Sequence, residues 1–193
     1  VGECDRLIEK IVERSQSIKL AENMGAIIDQ HSRERIIGIL DRAEKEGAKF
    51  LLDGRKTAAP DRFKKGVWLG PTIIETDNAA AECATTEIFG PVLTILRLPS
   101  ISAALQLEHR SPYGNATSIF TTNGGAADYV AKHATNGMIG VNIGVPVPRE
   151  PFSFGGTKHS RFGHGDITGH GGVEFWSDRK KITKKWSLQT DNN

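Results

Sequence analysis

The stretch Glu87-Ile88-Phe89-Gly90-Pro91-Val92 sets a carboxylate and an aromatic ring two positions apart. On extended backbone, residues at that spacing lie on one side of the chain. A glutamate so placed can accept hydrogen bonds from both hydroxyls of a ribose, and a phenylalanine can wall one face of a flat ring. Gly90-Pro91 then breaks the chain just ahead of the apolar run Val92–Leu96. On composition alone, the capped start of a buried strand has the same look.

Other groups with chemical potential read differently. His159, His164 and His170 surround Asp166, but their spacing matches neither a helical i, i+4 pair nor a zinc-finger pattern, so no metal is assigned. Arg179, Lys180, Lys181, Lys184 and Lys185 lie between Trp176 and Trp186. As a strand, this run puts Ile182, Lys184 and Trp186 on one face and Lys181, Thr183 and Lys185 on the other, which suits an edge or intersubunit strand guarded by lysines. Neither cysteine has the surroundings of a nucleophile. Cys4 opens a helix with no histidine beside it, and Cys83 lies in Ala-Ala-Glu-Cys-Ala-Thr without an evident base. No catalytic residue is therefore assigned within the chain.

The elements that must carry these residues alternate. Leu7, Ile8, Ile11, Val12 and Ile18 recur at helical spacing after Asp5 as N-cap, and Ile36, Ile37, Leu40 and Ala43 do so after Ser32. Gly47 suits the left-handed position that closes the second helix, before the strand Ala48–Leu52 and the turn Asp53-Gly54. Val67–Leu69 and Thr72–Ile74 read as extended, and Val92–Leu96 as a strand covered on both faces. Ser102–Glu108 and Gly125–His133 read as helices, and Thr117–Phe120 and Met138–Asn142 as strands. That order predicts an α/β fold with a parallel sheet and crossover helices. Ten of the 21 glycines fall between Gly137 and Gly172, which predicts a long turning segment there, with a short helix or turn at Val173–Ser177.

Composition narrows the function classes. Hydrophobic residues make up 38% and charged residues 25%, as in a globular chain. The formal net charge of +2 is too small for a polyanion as main partner, so no nucleic acid is expected. No run approaches the roughly 20 apolar residues of a membrane span. The first residues have no signal-peptide pattern and no initiator Met. Two cysteines fit a reducing compartment.

Glu87–Val92 is the characteristic hexapeptide of the NAD(P)-dependent aldehyde dehydrogenases, which the chain resembles from end to end. Gly70-Pro71-Thr72 precedes it, and Tyr113-Gly114-Asn115, Gly140-Val141-Asn142 and Phe154-Gly155-Gly156 follow in the family's order. Val145-Pro146-Val147-Pro148 with Phe152-Ser153-Phe154, and Lys181-Ile182-Thr183 ahead of Trp186, resemble the CoA-acylating methylmalonate-semialdehyde dehydrogenase branch.

The resemblance implies a catalytic domain of the aldehyde dehydrogenase type, incomplete at its N-terminus. Residues 1–178 would be its C-terminal part, and 179–193 an oligomerisation strand and tail. The nucleotide-binding domain and the nucleophilic cysteine would lie upstream. In the family mechanism that cysteine attacks the aldehyde, hydride passes to NAD, and the acylating branch hands the thioester to CoA. Glu87 would bind the nicotinamide ribose hydroxyls and Phe89 would help position the ring. Phe152 and Phe154 would line the aldehyde tunnel, and the loop from Val145 to Ser153 would border the substrate mouth. Thr86 stands where many members have a second glutamate. A homo-oligomer in the cytoplasm, or in the mitochondrial matrix of a eukaryote, is implied. The rivals are a non-acylating dehydrogenase, for example for succinate semialdehyde, and a non-catalytic assembly module of the same fold.

Overall fold

A computed structural model describes residues 2–186. The chain forms two compact units, 1–111 and 112–193.

In the first unit, α1 (Asp5–Gln16) starts one residue earlier than expected. Cys4, not Asp5, holds the N-cap position and makes no side-chain cap bond. Asp5 in the first turn pairs instead with Arg97, 2.6 Å away. α2 (Gln30–Lys45) is capped by Asp29 rather than Ser32: the Asp29 carboxylate accepts the Ser32 N–H at 2.7 Å. A carboxylate at the positive end of the helix is the stronger cap, and that bond holds its carboxyl below the ordinary value. The far end closes as expected. Gly47 has φ +91°, its N–H donates to Glu44 O, and the Ala48 N–H donates to Ala43 O. These are the paired bonds of a Schellman cap.

β1 (Lys49–Leu52) follows directly. A 3₁₀ turn (Asp61–Phe63) precedes β2 (Thr72–Glu75). The short α3 (Glu82–Thr85), which periodicity did not suggest, then leads to β3 (Val92–Ile95), and α4 (Ile101–Arg110) ends the unit. β2 is central, antiparallel to β1 and parallel to β3. The sheet is therefore mixed rather than purely parallel. β3 is an outer strand, as is β1, and Leu93 is 45% exposed instead of covered. Val67–Leu69 joins no ladder but is held by the Ile27 N–H on Val67 O, with Trp68 and Leu69 buried. Ile36, Ile39, Leu40 and Ala43 of α2 pack with Leu69, Ile74, Cys83 and Ile88 into one apolar core.

The second unit contains β4 (Tyr113–Gly114), β5 (Ala116–Ile119), α5 (Gly124–His133), β6 (Met138–Val141), β7 (Thr157–Lys158) and α6 (Gly169–Phe175). β5 and β6 run parallel with α5 as their crossover, while β4 pairs antiparallel with β7. α6 begins within the glycine-rich stretch expected to be non-helical. There, packing overrides propensity: a Cβ on Gly171 or Gly172 would stand 2.8 Å from Asp166 Cβ or from Ile167 O. Residues 177–186 form neither helix nor strand, and Ile182 and Trp186 are exposed. Alternation alone does not make a strand without a ladder partner, and none is present among the described residues. The end of the expected oligomerisation strand and tail, 187–193, lies outside them. Among the described residues no helix is long and apolar enough to cross a membrane.

Candidate functional site

The hexapeptide is built outward from the core of the first unit. Arg42 of α2 clamps Glu82 of α3 through two bonds of 2.7 and 3.0 Å. That guanidinium holds the Glu82 carboxyl below its ordinary value. Thr86 leaves α3 in extended conformation (φ −100°, ψ 139°). From there the side chains alternate: Glu87 is exposed, Ile88 is 8% exposed within the core, and Phe89 is 80% exposed. Glu87 and Phe89 are both exposed as expected, although Phe89 is left-handed rather than extended. Burial of Ile88 turns its two neighbours outward.

The backbone beneath them is fixed at several points. Arg35 Nη2 donates to Ile88 O at 2.6 Å. Gly90 lies so close to α2 that a Cβ there would come within 2.6 Å of Ile36 Cδ1. The Val92 N–H donates to Gly90 O across Pro91, and the Thr72 N–H takes Pro91 O at 2.9 Å. Phe89 itself has φ +54°. A left-handed conformation costs a bulky residue about 1–2 kcal/mol, so it persists only where its surroundings over-determine it. The Glu87 carboxylate has no hydrogen-bond or ion-pair partner among the described residues. A free acceptor and an exposed ring on such a ledge of backbone can meet a diol beside a flat ring.

The cysteines lie apart from this ledge in character. Cys83 is buried in the core and burial pushes its thiol up. Cys4 is half-buried at the start of α1, with Arg97 Nη1 3.6 Å from its Sγ.

The other motifs prove to be places where backbones touch. A Cβ on Gly54 would meet Gly70 O at 2.1 Å, and the Gly54 N–H donates to Thr72 Oγ1. In the second unit Gly114 abuts Thr157, and Gly137 abuts Gly155 and Gly156. Asn142, at φ +56°, clips Thr121 by accepting its N–H at 2.9 Å and donating to its carbonyl at 3.0 Å.

Phe152 and Phe154 belong to the second unit and are 71% and 46% exposed. Thr168, which the sequence reading passed over, anchors their loop. Its Oγ1 accepts the Phe154 N–H at 2.9 Å and its carbonyl accepts the Ser153 hydroxyl at 3.1 Å. Asp166 pairs with Arg161 at 3.3 Å, and among the described residues no three metal-ligating side chains converge.

Residues 2–182 match the aldehyde dehydrogenase family. A Drosophila pseudoobscura pseudoobscura protein, given as a probable acylating methylmalonate-semialdehyde/malonate-semialdehyde dehydrogenase of mitochondria, is 39% identical over the whole chain, which spans 38% of that protein's length. The human protein of the corresponding name is 36% identical over 96% of the chain and 36% of its own length. A methylmalonate-semialdehyde dehydrogenase from Oceanimonas doudoroffii superposes with a TM-score of 0.90 at 35% identity, over 95% of this chain and 38% of that one. A Sinorhizobium meliloti 1021 protein assigned to the same activity, solved with NAD, gives 0.91 at 34% identity, over 100% and 40%. The matched span takes in the ledge, the paired glycines and the Thr168-anchored loop, and on that evidence the chain belongs to the aldehyde dehydrogenase family.

Proposed function

We propose that the chain is part of an oxidoreductase that oxidises a small semialdehyde of the methylmalonate or malonate type with NAD. Its acyl group passes through a cysteine thioester to CoA, and the nucleophilic cysteine comes from outside these 193 residues. NAD, when bound, supplies the hydride acceptor. The observation that carries the reading is the pair Glu87 and Phe89, both exposed on a backbone held from α2 and β2. Glu87 accepts the two hydroxyls of the nicotinamide ribose, and Phe89 limits where the ring can lie. Phe152 and Phe154 line the path of the aldehyde, and the CoA assignment follows the acylating names of the relatives.

The experiment is Glu87→Gln in the assembled enzyme, meaning this chain together with the upstream part of the fold. The carboxylate acceptor becomes a neutral amide, so NAD binding and hydride transfer together are expected to lose about 1–2 kcal/mol. If positioning dominates, the loss falls in kcat rather than in KM. Unchanged NAD affinity by calorimetry, together with an unchanged rate, would rule the assignment out.

The assembled enzyme is also proposed to be at least a dimer, with Ile182–Trp186 pairing as a strand against another subunit. Ile182 and Trp186 are exposed on a segment whose backbone has no ladder partner among the described residues. Deleting residues 180–193 is expected to lower the mass seen by light scattering. An undiminished oligomer would refute the role.

A further inference from the structure

We infer that Arg35 is a positioning residue for hydride transfer, acting through the Ile88 carbonyl on the left-handed Phe89. The inference rests on the reading of Glu87 and Phe89 as the nicotinamide ledge. The Ile88–Phe89 peptide joins a core anchor to an exposed ring in an unfavourable conformation, so its orientation decides where both flanking side chains point. Beyond Phe89 the chain is held by Gly90 against Ile36, by the rigid Pro91 and by the Thr72 N–H on Pro91 O. On the near side, the Ile88 carbonyl is held by Arg35 Nη2 at 2.6 Å.

Arg35 stands one position before Ile36, the fully buried α2 residue whose Cδ1 meets Gly90. A single helical turn therefore fixes both peptides around Phe89, one through a charged donor and one through packing. The two residues they link lie 53 positions apart in sequence. Because Arg35 is itself exposed, its loss leaves the core intact and frees only the ledge. A purely structural arginine on a helix surface would behave otherwise, its removal touching stability and leaving the cofactor alone.

The test compares Arg35→Met and Arg35→Lys with Glu87→Gln and Phe89→Ala in the assembled enzyme. Arg35→Met is expected to slow hydride transfer about tenfold while the dissociation constant of NAD changes less, as fits an interaction that positions rather than binds. Arg35→Lys, which keeps one charged donor, is expected to recover most of that loss. Without NAD, hydrogen exchange of the amides from Thr86 to Val92 is expected to quicken about tenfold in Arg35→Met with the melting temperature unchanged. A normal rate and normal exchange in Arg35→Met, with Glu87→Gln and Phe89→Ala impaired, would overturn the role of Arg35 and leave the ledge standing. If neither Glu87→Gln nor Phe89→Ala affects NAD binding or hydride transfer, the ledge itself is misassigned and the role of Arg35 falls with it. If Arg35→Met unfolds, Arg35→Gln, which removes the charge but keeps a polar side chain, decides: a slowed rate with quickened exchange supports the role, and a normal rate or normal exchange overturns it.

Discussion

The purified 193-residue chain is expected to form no NADH from methylmalonate semialdehyde at any NAD concentration. Thioester chemistry requires an accessible thiolate beside the aldehyde. Cys83 fails on both counts, since it is 4% exposed in the apolar core and burial pushes its thiol above the ordinary value. Its carbonyl is also tied to the Thr94 hydroxyl at 2.7 Å, which fixes the backbone around it. Cys4 has a cationic neighbour in Arg97, but that guanidinium is engaged by Asp5 and Glu75. Adding the upstream part of the fold is expected to restore turnover. Sustained NADH production by the chain alone would contradict this. Its loss in Cys4→Ser would then identify Cys4 as the nucleophile, and its persistence in Cys4→Ser/Cys83→Ser would exclude cysteine chemistry altogether.

Gly54→Ala is expected to cost the intact chain at least about 3 kcal/mol, because the new methyl group would meet backbone rather than a yielding side chain. Its Cβ would stand 2.1 Å from Gly70 O and 2.3 Å from Gly70 C. Separating those two segments breaks the Gly70 N–H bond to Gly54 O and the Gly54 N–H bond to Thr72 Oγ1. Thr72 in turn carries Pro91 through its own N–H, so the damage reaches the hexapeptide. A urea titration against Gly25→Ala, where nothing lies within 4 Å of the new methyl group, measures the effect. Equal midpoints for the two variants would contradict so close a crossing of Gly54 and Gly70.

What could be read from the sequence was local. The period of Ile36, Leu40 and Ala43 and the glycine after α2 are short-range signals, and the helix and its cap appear where they indicate. Ser32 has the residue type of a cap, but the helix begins earlier and Asp29 takes the Ser32 N–H, which leaves Ser32 in the first turn. The glycines of α6 and the mixed sheet were not legible, because each depends on contacts made far along the chain. The same division runs through the candidate site. Alternation placed Glu87 and Phe89 on one side, whereas the left-handed turn at Phe89 and the grip of Arg35 exist only once α2 lies against the hexapeptide. Phe152 and Phe154 were named only through the family resemblance, and Thr168, which holds their loop, gave no signal of its own.

The central claim is that Glu87 takes the nicotinamide ribose, and hydride transfer is its most direct readout. The measurement is a single turnover of the assembled enzyme at saturating NAD, with protonated and aldehyde-deuterated substrate, comparing wild type with Glu87→Gln. The expected result is a rate lower by about tenfold in Glu87→Gln, the kinetic equivalent of 1–2 kcal/mol, with a deuterium effect showing that hydride transfer limits it. A Glu87→Gln enzyme that transfers hydride at the wild-type rate and binds NAD with wild-type affinity would contradict the claim.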